Sequence, residues 1–145
     1  MKIYTSYYGQ LRNLDKVGIL PISISRITPK YFKGMWYEGL APTYNMRNLA
    51  VSTFHPAFKK YILSPKSQEK VIQRLRVMSE GYEEIALICY EAPDKFCHRQ
   101  LVKDWLNGWI VPNFGEQHAV TEFIPPAKEE KPKARKLVQQ LTFMF

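Results

Sequence analysis

Five residues with reactive or ion-binding side chains fall within eleven positions of this 145-residue chain: Cys89, Glu91, Cys97, His98 and Arg99. A thiol beside an imidazole is typical of an activated nucleophile, and a guanidinium binds oxyanions through two parallel hydrogen bonds. We therefore predict that Cys97 is a nucleophile or contact group, His98 an acid or base, and Glu91 the residue that orients them. Cys89 and Arg99 are predicted to bind the ligand.

A strand precedes this cluster and a helix follows it. The short apolar run at residues 85–88 predicts a buried strand, and the amphipathic segment after Asp94 predicts a helix that ends at Asn107 and Gly108. Asp94 is the predicted cap of that helix. In open α/β sheets, ligands bind where a strand leads through a polar loop to a helix N-terminus, because the free N–H groups attract anions. The same N–H groups lower the pKa of a nearby thiol.

Two other interpretations of the cluster remain open. Cysteine is often buried, so Cys89 could belong to the core, while His98 and Arg99 could bind backbone carbonyls or pair with Glu91. A metal site would take a further ligand from His55 or His118. Zinc sites normally use spaced cysteine pairs, which this sequence lacks, and we therefore predict no metal and leave the cofactor unassigned.

Composition narrows the class of protein. With 46% hydrophobic and 14% aromatic residues, the chain is typical of a globular protein of one domain. No apolar run approaches a membrane span, the N-terminal segment lacks a signal-peptide core, and two cysteines do not make a disulfide framework. We expect a cytoplasmic protein with free thiols or metal-bound cysteines and no membrane partner. The net charge of +8 favours an anionic small molecule or nucleic acid as partner.

The remaining pattern alternates short strands with helices. Residues 2–7 and 21–25 predict two strands, and the helical turn at residues 9–16 between them implies a parallel pair with a right-handed crossover. An aromatic, proline- and glycine-rich loop follows. Three further predictions are a helix over residues 45–63 interrupted at His55-Pro56, a helix capped by Ser64 and running to Ser79, and a last strand at either 109–111 or 119–124.

These elements predict an α/β fold with a small, mostly parallel, Rossmann-like sheet flanked by helices. We assign residues 1–124 to this single domain. Residues 125–145 are predicted to form a flexible C-terminal tail that begins with a basic linker.

Arg26 lies at the predicted carboxyl end of the second strand, next to the end of the first strand at Tyr8. Two arginines and a helix N-terminus around one cleft would favour a phosphate or carboxylate, so Arg26 and Tyr8 join the predicted ligand-binding residues. Tyr8, Tyr31 and Trp36 could stack on a base. The alternative is that these aromatic rings close the core beneath the long loop.

The cluster resembles the signature of domain-of-unknown-function family 488, in which a strand ends in Cys-x-Glu and Cys-His-Arg opens a helix after a proline. Residues 21–26, 32–34 and 40–42 are similar to one branch of that family, and the resemblance covers residues 1–124 apart from an apparent insertion at 109–120. It implies a compact α/β fold but no particular reaction. The pocket it implies contains Arg26, Cys89, Glu91, Cys97, His98 and Arg99.

The last six residues, Gln-Leu-Thr-Phe-Met-Phe, resemble the hexapeptide by which bacterial replication and repair proteins bind the DNA sliding clamp. The predicted contacts are Gln140, Leu141, Phe143 and Phe145. A flexible tether would present these side chains to a preformed groove. The alternative is an amphipathic segment docked on the same domain.

Two functions follow from these observations. The first is an enzyme that acts on a nucleotide or a nucleic-acid-derived substrate through the Cys-Glu-Cys-His-Arg pocket. The second is a non-enzymatic nucleotide- or nucleic-acid-associated binding module, recruited by its tail to a partner such as a sliding clamp.

Overall fold

The computed structural model describes residues 1–92 and 95–126. The predicted helix cap Asp94 lies outside the described residues. So do nearly all of the predicted tail and the four predicted clamp contacts, Gln140, Leu141, Phe143 and Phe145.

Five parallel strands form one sheet, in the order β3-β2-β4-β1-β5. Their bounds are β1 Lys2–Tyr7, β2 Leu20–Ser23, β3 Met35–Trp36, β4 Glu84–Cys89 and β5 Thr121–Glu122. The prediction of a small α/β domain with a parallel sheet is confirmed.

The centre of the sheet is the pair β1 and β4, which run in register from Lys2 opposite Glu84 to Tyr7 opposite Cys89. Residues 85–89 of β4 are all buried because both faces of this strand are covered. On one face of the sheet, Leu87 packs in the core cluster to which most of the helices contribute. On the other face, Ile88 packs in a smaller cluster with Leu14 and Ile19. The carboxyl ends of β1, β2 and β4 therefore meet at one edge of the sheet.

The helices are α1 Leu11–Lys16, α2 Val51–Phe58, α3 Gln68–Met78 and α4 Arg99–Phe114. None of the helices in the described ranges is long and apolar enough to cross a membrane.

The predicted interruption at His55-Pro56 is wrong. Pro56 lies inside α2, which continues into a π-helical turn over Lys59–Leu63. Burial of Phe54 and Phe58 against the sheet holds the segment helical despite the missing N–H of proline.

The predicted cap Ser64 is also wrong, because its N–H donates to the carbonyl of Lys59 within the π-helical turn. The cap of α3 lies three residues later, at Ser67, whose Oγ accepts from the N–H of Lys70 at 3.3 Å.

Helix α4 does not end at Asn107 and Gly108, and residues 109–111 are not a strand. The Asn107 side chain instead binds both the N–H and the carbonyl of Val120, which fastens the segment before β5 to the helix. The helix continues because Leu106 and Ile110 keep its apolar stripe buried. It ends at Gly115, whose φ of 102° suits glycine, and the second predicted position of the last strand is the one occupied.

Candidate functional site

A cavity of about 400 Å³ opens at the carboxyl edge of the sheet. Its polar and reactive lining includes Arg26, Arg47, Cys89, Tyr90, Cys97 and His98. Leu49, Val51, Phe54 and Phe96 supply the apolar part of its wall. Residues from β4, from the first turn before α4 and from two loops thus converge on one volume of the size that small-molecule sites occupy.

Cys89 and Cys97 are joined by a disulfide bond at this cavity. The expectation of free or metal-bound cysteines is therefore wrong for this structure. Cys89 ends β4, and Cys97 lies two residues before the start of α4. Because α4 packs against the same strand, the fold brings the two sulfur atoms together. Both residues are buried, at 1% and 7% exposure, and both still line the cavity.

His98 has a defined tautomer. Its Nε2 lies 2.6 Å from the carbonyl oxygen of Ile24, which can only accept, so Nε2 carries the proton and Nδ1 has a free lone pair. Nδ1 lies 4.0 Å from Cys97 Sγ. Burial lowers the pKa of His98 to about 4; the hydrogen bond to Ile24 opposes this shift and the charge of Arg99 adds to it. At neutral pH His98 is an uncharged base directed at a sulfur atom.

Arg99 is completely buried, and its guanidinium is held by protein groups. Nε and Nη2 donate to the two carboxylate oxygens of Glu122 at 3.1 and 2.9 Å, in a bidentate pair. Nη1 donates to the carbonyl of Glu91 at 2.6 Å and to Cys89 Sγ at 3.2 Å. The guanidinium also lies 5.6 Å from the ring centroid of Tyr7. Arg99 thus connects Cys89 at the end of β4, and Glu91 in the loop that follows, to Glu122 of β5.

Two other arginines reach the cavity. Arg26 Nε donates to the carbonyl of Pro42 at 2.8 Å, and Nη1 pairs with Glu38 at 3.0 Å. Arg47 is exposed and forms no ion pair with any residue in the described ranges. Both guanidiniums lie about 5.5 Å from the ring of Tyr44, at 5.6 and 5.5 Å. Two arginines therefore bring positive charge to the cavity that the cysteines also line.

Tyr8 lies behind the cavity wall and not in it. Its hydroxyl lies 2.6 Å from both Ser23 Oγ and Ser25 Oγ, and burial raises its pKa. Ser25 lines the cavity, so Tyr8 reaches the site through this hydroxyl network. The rings of Tyr31 and Tyr90 lie 6.5 and 4.8 Å from the Tyr8 ring, and their other faces are exposed.

The backbone carbonyl of Glu91 accepts from Arg99, while the residue itself is exposed to solvent. An orienting role for its carboxylate therefore stays a prediction.

If the sulfurs were reduced, Cys89, Cys97 and His98 could hold a metal ion, because their donor atoms lie within 4.8 Å of one another. His55 packs against Phe96, with ring centroids 4.6 Å apart, and His118 lies near Phe114.

Sequence reasoning missed three residues of the site. Ser25 was predicted only as the last residue of the second strand. The spacing of Ser23 and Ser25 was the signal that could have found it, because residues two apart in a strand place their side chains on the same face. Arg47 carried no motif, and only its position in the aromatic loop pointed to the ligand region. Glu122 pairs with Arg99 across 23 positions, and nothing in the sequence pattern marks that contact.

The fold and site define an α/β protein with a cysteine–histidine pocket at the carboxyl edge of a parallel sheet. A family model described as "Active DUF488-N3 subclade" matches residues 3–109, and the chain belongs to this family within DUF488. The matched segment includes both cysteines, His98 and Arg99, but not Glu122. Comparisons with curated proteins and with solved structures gave no match.

Proposed function

We propose that this protein is a cytoplasmic enzyme that acts on a nucleotide or a nucleic-acid-derived substrate, with the reduced Cys97 as its nucleophile. The observation that carries the proposal is the shared cavity, because Arg26 and Arg47 line the same volume as Cys97 and its neighbouring base His98.

The chemistry begins from the dithiol. Two equivalents of a cellular thiol reduce the disulfide and are themselves joined in a disulfide. The Cys97 thiol can then donate a hydrogen bond to Nδ1 of His98, which takes up the proton as the sulfur forms its bond to the substrate. The hydrogen bond to Ile24 keeps Nδ1 unprotonated and directed at the sulfur. Cys97 also lies just before the N-terminus of the 16-residue helix α4, whose dipole favours a thiolate.

The positive charge that Arg26 and Arg47 bring to the cavity lining favours an anionic substrate. Arg47 has an exposed guanidinium free of ion pairs in the described part of the chain, and Arg26 holds its side chain in place through Pro42 and Glu38. Such a pair binds a phosphate or carboxylate. The apolar wall formed by Leu49, Val51 and Phe96 suits the flat, uncharged part of a nucleotide.

Arg99 is assigned a positioning role in this mechanism. All its nitrogens bind Glu122, Cys89 or the Glu91 carbonyl, so an anionic ligand would have to displace a protein partner. Its hydrogen bond to Cys89 favours the thiolate form of that cysteine after reduction.

The test of the ligand is thermal-shift screening of the reduced full chain against nucleotides, nucleosides and sugar phosphates. Binding raises the unfolding midpoint, and Arg47→Ala should abolish the rise. Arg76→Ala is the matched control, because Arg76 lies on α3 at a separate cavity. A rise that persists in Arg47→Ala, or a flat screen with the parent protein, would overturn the anionic-ligand assignment.

The thiol chemistry is tested by iodoacetamide labelling at neutral pH. The reduced protein should label rapidly at Cys97, and His98→Gln should slow the labelling while Cys97→Ser removes it. Slow labelling of Cys97 that His98→Gln does not change would favour the second function, a binding module. In that case the disulfide at the cavity would serve only to stabilise the structure.

We also propose that the C-terminal hexapeptide binds a DNA sliding clamp. Its support is the sequence motif behind a basic linker. Deletion of residues 140–145 should remove clamp binding in a pull-down and leave the melting temperature unchanged. A marked loss of stability would instead indicate a segment docked on the domain.

A further inference from the structure

We infer that the substrate is one unpaired nucleotide of a single-stranded nucleic acid, whose neighbouring bases stack on exposed aromatic residues around the cavity mouth. This inference rests on the proposed function. We name the surface the aromatic rim and define it by Tyr31, Tyr44 and Tyr90.

The three rings of the aromatic rim are exposed, at 67%, 59% and 47%. Tyr90 lines the cavity, and both Tyr90 and Tyr31 pack edge-on against the buried Tyr8. Tyr44 lies near two guanidiniums that line the cavity. Exposed rings held by buried neighbours provide preformed platforms for bases.

The charge of this surface matches a phosphate backbone. Arg26 and Arg47 lie beside Tyr44, and the exposed Lys30 and Lys33 flank Tyr31 in sequence. Arg26 is the only one of these four with an ion pair in the described residues. Aromatic rings interleaved with cations are the combination that binds single strands without reading their sequence.

Accessibility of the thiol favours a single strand over a duplex. Cys97 is 7% exposed and lies at the cavity wall with the fully buried Cys89 beside it. A base within a stacked duplex cannot reach an atom at that depth, so a nucleotide must be unpaired or turned out of the stack to enter. The neighbouring nucleotides would then remain outside, where the aromatic rim lies.

The experiment measures fluorescence anisotropy of a labelled 12-nucleotide oligothymidylate and of a duplex of equal length, with the reduced full chain. We expect the single strand to bind more tightly, and Tyr31→Ala and Tyr44→Ala each to weaken it by about fivefold or more. Tyr61→Ala and Tyr82→Ala are matched controls, because both tyrosines are exposed and belong to neither the cavity nor the rim. Arg47→Ala should also flatten the salt dependence by about 0.7 in log–log slope.

Several outcomes would overturn the inference. Equal binding of duplex, or equal losses in the control variants, would remove the role of the rim. Loss only on replacing Lys131, Lys133 and Arg135 by serine would assign binding to the basic linker. Displacement by poly-glutamate at equal charge would indicate an acidic protein partner.

Failure of this inference can be told apart from failure of the proposed function. A mononucleotide shift that Arg47→Ala abolishes, without rim-dependent binding of the oligonucleotide, overturns only the inference. Rim-dependent binding of the oligonucleotide without any mononucleotide shift overturns the nucleotide site of the proposed function.

Discussion

Glu122 is the residue whose removal should best test the account of the site. In Glu122→Ala, the fully buried Arg99 loses both carboxylate oxygens, which accept at 3.1 and 2.9 Å, and keeps only Cys89 Sγ and the Glu91 carbonyl. Removing one partner of a buried ion pair costs about 3–5 kcal/mol. The Glu122 side chain is 24% exposed, so water can replace part of the contact. We therefore expect a loss near the lower limit, about 3 kcal/mol.

The assay is urea-induced unfolding, with thermal unfolding as a second measurement. For 145 residues, an unfolding entropy of about 2.1 cal/mol/K per residue converts 3 kcal/mol into a fall of about 10 °C in melting temperature. Glu84→Ala is the matched control. Glu84 is also half-buried at a strand end, but its side-chain contact is a 3.3 Å hydrogen bond from Tyr4, so its loss should stay within about 1 kcal/mol.

A second variant separates an unpaired charge from lost packing. If the cost of Glu122→Ala comes from the buried guanidinium, adding Arg99→Met should restore part of the stability, because an apolar side chain needs no partner there. The reasoning is refuted if Glu122→Ala costs no more than Glu84→Ala, or if the added Arg99→Met lowers stability further.

Four further predictions concern the base His98, the core, and one glycine inside and one at the end of α4. The pKa of His98 is lowered to about 4, so the unfolded chain takes up a proton first as pH falls, and about 3 kcal/mol of stability present at pH 7.5 should be lost by pH 4. Leu106→Ala, at a fully buried position, should cost about 2–5 kcal/mol in urea unfolding. Gly108→Ala should stabilise by about 0.5–1 kcal/mol, because its position in α4 is open. Gly115→Ala should destabilise by about 1–3 kcal/mol, since its φ is +102° and its added Cβ would lie 2.5 Å from the Gln117 side chain.

Each of these predictions has its own control. His98→Gln keeps a donor for Ile24 and cannot titrate, so a pH dependence equal to that of the parent protein would contradict the assignment to His98. A loss under 1 kcal/mol for Leu106→Ala would contradict its place in the core. The two glycine substitutions control one another, and shifts of the same sign would contradict the conformations assigned to them.

Much of the fold could be predicted because its strands are local apolar runs. Strand β1 was predicted with its exact bounds, and the run at residues 85–88 lies within β4. Predictions that rested on the type of a single residue were wrong where a contact between distant parts of the chain determines the structure. The Asn107-Gly108 pair is a normal helix ending, but Asn107 binds Val120 instead, and burial of Ile110 carries α4 onward.

The sequence predicted which residues line the site better than it predicted which residues contact one another there. The convergence of Arg26, Cys89, Cys97 and His98 on one cavity follows from parallel strands that end at one edge. The partner of Arg99 could not be deduced, because several acidic residues lie closer to it in sequence and the actual partner lies on the last strand. Pairing of that kind depends on tertiary packing and leaves no periodic signal.

The pairing of Arg99 with Glu122 also sets a time order for folding during synthesis. Glu122 follows Arg99 by 23 residues, a delay of about one to five seconds at 5–20 residues per second. During that interval, packing α4 against β4 would bury the Arg99 guanidinium without its carboxylate. We therefore expect α4 to pack stably on the sheet only after β5 has joined its edge. A two-residue strand at the edge of the sheet thus supplies the contact that completes the site.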